Sequence, residues 1–205
     1  MPAIDIRSAL FMGLLVAGLW NGWGLWTHRR VHPPAGQIAE YDPLQSDLPP
    51  APTITHGHWT LTPRAHYDIT ARVLGNESYR FDALSALVPE DLALGWGPMS
   101  DNQILNTLDI SQGARFYSWR PHADTPISRD TIGTHSANTH VIPVDASIQK
   151  QLAGVRVGEV VRLTGTLVDA TRDDGAWIHT SLTRSDTGAG ACEVLLVESV
   201  EIKWP

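Results

Sequence analysis

Cysteine is nearly missing from this chain: Cys192 is the sole example in 205 residues. That excludes an internal disulfide framework and any zinc site built on several thiolates. Lysine is scarce as well, with Lys150 and Lys203 set against thirteen arginines. No run of basic residues occurs after the first thirty positions, and the formal net charge is -7. The electrostatic footprint of a nucleic-acid binder is therefore absent. Internal repeats are lacking too, and the one biased tract is a short proline-rich stretch.

What is present begins with a long uncharged run. Ala9 to Trp26 covers 18 residues without a charge, and Asn21 is its one strongly polar side chain. At a rise of about 1.5 Å per residue such a helix spans about 27 Å, close to the hydrocarbon thickness of a bilayer. Trp20, Trp23 and Trp26 crowd its C-terminal end, where indole rings favour the headgroup layer, and Arg29 and Arg30 follow. A cleaved signal peptide is the rival reading, but no small-x-small site follows the apolar run. Residues 1–30 are accordingly expected to be a single-pass anchor in an inner membrane. Arg7 on one side against Arg29 and Arg30 on the other leans against export. The very short leading region and the proline-rich continuation favour a cytoplasmic N-terminus and a periplasmic domain. Ala9, Gly13, Ala17 and Asn21 recur every four residues on one face, a spacing that suits a second helix from another membrane protein or from a second copy.

Residues 31–52, with Pro33-Pro34 and Pro49-Pro50, are expected to form an extended, semi-rigid spacer. Residues 53–205 then make one β-rich domain. Tyr67–Leu74 alternates and predicts a strand, with Gly75-Asn76 as a turn and Tyr79–Phe81 as its return. Pro89, Glu90 and Asp91 have the composition of a first helical turn, and Ser100 that of an N-cap for a second short helix. Ala114–Trp119 predicts a strand, and Asp145 caps a helix running to Ala153. Gly158 and Gly165 punctuate a strand containing Val161, Leu163 and Leu167. Asp173-Asp174-Gly175 is a turn, and Cys192 to Ile202 a long strand. The fold class expected is α+β, predominantly antiparallel, as a small curled sheet or an OB-like barrel with short helices, preceded by one transmembrane helix. Gly158 to Val168 (GEVVRLTGTLV) is similar to a strand pair of OB-type barrels, which implies shape and no ligand.

Three further segments carry chemistry: Leu92–Asp101 (LALGWGPMSD), His135–Pro143 (HSANTHVIP) and Ser181–Glu193 (SLTRSDTGAGACE). Together and in this order they resemble a group of bacterial, membrane-anchored proteins with no assigned activity. The resemblance implies relatedness and a bacterial source, and transfers no catalytic role. The Ser181–Glu193 stretch crowds hydrogen-bonding residues around two glycines, as a binding loop or a cross-tied turn does. The binding residues expected are Arg184, Asp186, Thr187, His135, Asn138 and His140. The function read from these features is a non-enzymatic interaction or assembly domain held at the bacterial envelope, with no cofactor. Two alternatives stay open. In one, His135 and His140, joined by Asp186 or Glu193, hold a metal, with zinc the ion expected, or a small ligand. In the other, Cys192 is the nucleophile of a hydrolase or transferase, with His135, His140 or His179 as base and Asn138 or Asp186 orienting it.

Overall fold

Apolar residues at odd positions carry the chain through its longest strand. The computed structural model describes residues 11–15, 29–186, 188 and 190–204. Within it Trp59–Ser78 forms β3, preceded by the short strands Leu44–Asp47 (β1) and Ile54–His56 (β2). Glu90–Gly95 (β4), Ser136–Pro143 (β7), Val160–Arg172 (β8) and Glu193–Trp204 (β10) complete the principal sheet. Leu108–Gly113 (β5) and Phe116–Pro121 (β6) form a separate hairpin, and Trp177–Ile178 (β9) is a short edge piece. Among the described residues three short α-helices intervene, Asn102–Leu105 (α1), Arg129–Thr134 (α2) and Ala146–Leu152 (α3), with a 3-10 turn at Gly97–Ser100 before the first. The fold is α+β with mostly antiparallel strands, as the sequence predicts.

The pairings close on themselves. β3 joins β4, β4 joins β7, β7 joins β10, β10 joins β8, and β8 returns to β3. Every step is antiparallel except β7 with β10, which is parallel. The interior is filled by Tyr67, Ile69, Val73, Leu92, Leu94, Trp96, Val141, Val161, Leu163, Leu167, Leu195 and Val197. Ile148 and Leu152 of α3 join them from the end where β7 finishes. Asp145 caps α3 by accepting from Ile148 N at 2.9 Å. A register shift between Pro63 and Ala65 lets one odd-numbered series serve two cores. Before Arg64, Trp59 and Leu61 pack outside with Val168 and Ala170; after it, Ala65 and Tyr67 point into the ring. A third apolar cluster, with Leu74, Ala93, Met99 and Ile132, seats the β5–β6 hairpin on the outer face.

Four expectations change. Glu90–Gly95 is a strand, not a helical turn, because ladders to β3 and β7 claim its backbone on both sides. Gly75-Asn76 does not turn the chain; β3 runs through it with a bulge at Leu74. Ser100 is buried and binds the N-terminal segment, so Asp101 caps α1 in its place. Residues 31–47 do not stand off as a spacer. Val31 N donates to Val157 O at 2.8 Å, Ile38 N and Ala39 N reach Ser100 Oγ, and β1 pairs with β3. As for the anchor, Ala9, Ala17 and Asn21 lie outside the described residues, while Gly13 falls in the helical turn 11–15. Among the described residues no helix is long and apolar enough to cross a membrane.

The N-terminal strap depends on one glycine. Gly158 has φ +101°, and a Cβ there would lie 1.9 Å from Val31 O. Gly158→Ala therefore meets both backbone strain and a clash with main chain. It is expected to lower stability by about 2–4 kcal/mol and to speed amide exchange at Val31. A urea titration with exchange mass spectrometry reads both, and an unchanged midpoint would count against the strap.

Candidate functional site

Strand alternation divides β7 between two sites. Thr139 and Val141 face the ring interior, while Asn138 and His140 face outward. The parallel register sets Glu193 beside Thr139 and Val194 beside His140. Glu193 thus turns inward, and Cys192 shares the outer face with Asn138 and His140. On the other flank Asp91 of β4 lies directly opposite His140.

The outer site is a chain of hydrogen bonds. His140 Nδ1 lies 2.7 Å from Asp91 Oδ1, and Cys192 lies on the same outer face, one pairing step away along β10. Asp91 is fully buried and also accepts from Arg115 Nη1 at 3.0 Å. Asn138 Nδ2 lies 3.8 Å from Cys192 Sγ, and its Oδ1 accepts from Gln112 Nε2 at 2.8 Å. Burial works against a charged His140, but the bonds to Asp91 and Cys192 outweigh it and push its pKa up to about 9. Cys192 itself is half-buried.

Arg115 locks this site from above. Ala114 and Arg115 both take positive φ, +50° and +70°, in the two-residue turn of the β5–β6 hairpin. Non-glycine residues hold that conformation where the surroundings over-determine it. Here Arg115 N donates to Tyr79 OH at 3.0 Å, its carbonyl accepts from Asn138, and its guanidinium grips Asp82 with two bonds of 2.9 Å. The same guanidinium stacks 3.7 Å from the Tyr79 ring centre.

The inner site lies at the end of the ring away from α3. A cleft of about 340 Å³ is lined by Asp42, Gln45, Tyr67, His135, Leu182 and Arg184, among others. Arg184 pairs with buried Glu193 and lies over the rings of Tyr67 (5.8 Å) and Trp96 (5.9 Å). Burial raises the Glu193 pKa to about 7 despite Arg184, and pushes the Tyr67 phenol well above its usual range. Tyr67 OH and Arg184 Nη2 are buried with no hydrogen-bond partner among the described residues. Trp96 Nε1 donates to Asp42 Oδ1 at 3.0 Å, tying the N-terminal strap to the rim.

The residues expected from the sequence fall into separate groups. His135 and Arg184 meet at the inner cleft; Asn138 meets Cys192 outside, with His140 on the same face. Asp186 accepts from Ser181 Oγ at 2.7 Å, and Ser181 N closes the loop onto Cys192 O. Thr187 lies outside the described residues. His135 and His140 are not brought together: five residues of strand separate them by roughly 16 Å, on different faces. Among the described residues no group of three or more His, Cys, Asp and Glu side chains is arranged to hold a metal ion. His179 lies 3.3 Å from Asp169. Sequence reasoning missed Asp91, Arg115 and Tyr67, and it offered Glu193 only as a ligand beside His135 and His140, whereas Glu193 pairs with Arg184. Their one local signal is strand parity, which becomes usable only once β4 is known to be a strand.

The fold and its two polar sites define a sheet-rich α+β domain with a closed strand ring. Compared with family models, curated proteins and solved structures, the chain finds no match.

Proposed function

We propose that this chain is a membrane-tethered interaction or assembly domain of the bacterial envelope. In this reading residues 1–30 make a single pass through the inner membrane, and the sheet-rich domain stands on the periplasmic side. The helix face with Ala9, Gly13, Ala17 and Asn21 meets another membrane protein or a second copy within the bilayer. The strand ring is read as an OB-like barrel. Numbering its strands along the chain, the order around the ring is 1-2-3-5-4, with the parallel pair between 3 and 5 and a helix between 3 and 4. Barrels of that kind use an open surface for binding.

The observation that carries this reading is the inner cleft, where Tyr67 OH and Arg184 Nη2 are buried donors without an acceptor among the described residues. Leaving such groups unmet costs about 1–3 kcal/mol each. A partner's carbonyl or carboxylate oxygen would take both bonds, and binding there requires no covalent chemistry. The test is a photo-crosslinker at Leu182 in full-length protein within bacterial membranes. A discrete adduct is expected, reduced at least about tenfold by Tyr67→Phe with Arg184→Gln. The reading fails if no discrete adduct forms. It fails equally if protein retaining residues 1–30 fractionates with the aqueous phase.

A further inference from the structure

The outer site has a different chemistry. We infer that Cys192 is a nucleophile toward activated acyl groups, with His140 as its base, Asp91 as the residue positioning His140, and Asn138 as donor to the developing oxyanion. Four observations meet at one place. The imidazole shares the outer face with Asn138 and Cys192, one pairing step along the β7–β10 register from the cysteine, and it holds a fully buried carboxylate on its other side. The 2.7 Å bond to Asp91 fixes the ring's orientation, as a base beside a nucleophile requires. Asn138 Nδ2 sits 3.8 Å from the sulfur; its carbonyl is held by Gln112 and one N–H by the Arg115 carbonyl, which leaves the other N–H for the thiol side. Cys192 is half-buried, whereas Asp91, Asn138 and His140 around it are buried.

A purely structural cysteine would not need this company. In a valine- and leucine-rich strand the inert arrangement is a thiol packed among apolar side chains. Here Val194, Leu195, Leu196 and Val197 enter the apolar clusters, and Cys192 does not. The strained Arg115 turn is explained in the same way, because it fixes both Asp91 and, through its carbonyl, Asn138.

The reaction balances without a redox partner. In the resting site the thiol proton already resides on His140, and the thiolate lone pair attacks the acyl carbonyl carbon. The C–S bond forms as the carbonyl π pair moves to oxygen, facing Asn138 Nδ2. Collapse breaks the bond to the leaving oxygen, which takes the proton from His140. Water, deprotonated by the now neutral His140, then cleaves the thioester, releasing the acid and restoring the thiolate beside a protonated His140. No second cysteine is required, in keeping with a chain that has one.

The charged and titratable groups facing His140 are Asp91 from β4, Arg115 from the hairpin and Cys192 from the segment entering β10, with Asp82 behind Arg115. The probes are iodoacetamide and p-nitrophenyl acetate, used on the full-length protein in detergent. At pH 6 Cys192 is expected to alkylate at least about tenfold faster than free cysteine. p-Nitrophenyl acetate is expected to release a burst of one p-nitrophenolate per chain, absent in Cys192→Ser. His140→Gln is expected to slow both reactions about 100-fold. Asp91→Asn, a change of one charge, is expected to move the alkylation pH profile as well as its rate, which a loss of packing alone would not do. Alkylation no faster than free cysteine in folded wild type overturns the assignment, as does a missing burst. Unchanged kinetics in a folded His140→Gln protein would remove His140 as the base.

Discussion

Raising the pH from 5 to 9 is expected to weaken the domain steadily. Three buried groups hold their protons more tightly folded than unfolded. Burial lifts Glu90 from 4.5 to about 7 and, against the pull of Arg184, lifts Glu193 to about 7. His140 rises from 6.5 to about 9. Because the folded chain binds the extra protons, stability falls with pH between each unfolded value and its folded one. The contribution is complete below about 4.5 for the carboxyls and 6.5 for the imidazole, and it is lost above 7 and 9 respectively. Asp68 and Asp82, held low by Arg162 and Arg115, act in the opposite sense, their contribution vanishing only below the ordinary aspartate range. For Glu90, which is 6% exposed and has an oxygen without a partner, the change is roughly 3 kcal/mol. Urea midpoints at pH 5, 7 and 9 should decline in order. Glu90→Gln should flatten the step from 5 to 7 and leave the domain more stable than wild type at pH 8. An identical slope in that variant would mean that Glu90 is not the group responsible.

Trp96→Ala is expected to cost about 3–5 kcal/mol, a large part of the stability of a domain this size. The indole is 1% exposed, lies in the ring interior and bonds Asp42 through Nε1. Its removal opens a cavity and also frees the N-terminal strap and the platform beneath Arg184. Trp96→Phe separates these effects. It keeps most of the volume and loses the bond to Asp42, for an expected cost of about 1–2 kcal/mol. Faster amide exchange at Gly97, whose N–H donates to Ala39 O at 2.7 Å, should accompany both changes. A Trp96→Ala midpoint within about 1 kcal/mol of wild type would show that the ring can collapse around the gap.

Strands with strong local alternation were legible in the sequence, as was the helix capped by Asp145. Val161, Leu163 and Leu167 announce β8, and the Asp145 side chain bonds Ile148 N as the cap requires. Glu90–Gly95 was not legible, since proline followed by two acids is a helix-start signal and only neighbours distant in sequence make it a strand. Gly75 likewise signals a turn, yet the extended backbone continues, and Gln112 fills the space a side chain would take. Half of the outer site was visible, because Asn138 and His140 are two apart and share a face. Asp91 was not: it is 49 residues from His140, and their contact follows from cross-strand register alone. The loop from Ser181 to Cys192 proved to be cross-tied through Ser181, with Arg184 reaching the cleft.

The parallel step between β7 and β10 has a consequence for biosynthesis. β10 is a wedge between β7 and β8, so neither of those strands has its neighbour until residues 193–204 have been made. A nascent chain that has passed β8 still exposes two bare edges, each able to recruit a stray strand. Translation must therefore run to the final wedge before the molecule is safe from its neighbours, and premature stops upstream of it should yield aggregates in preference to a smaller soluble product.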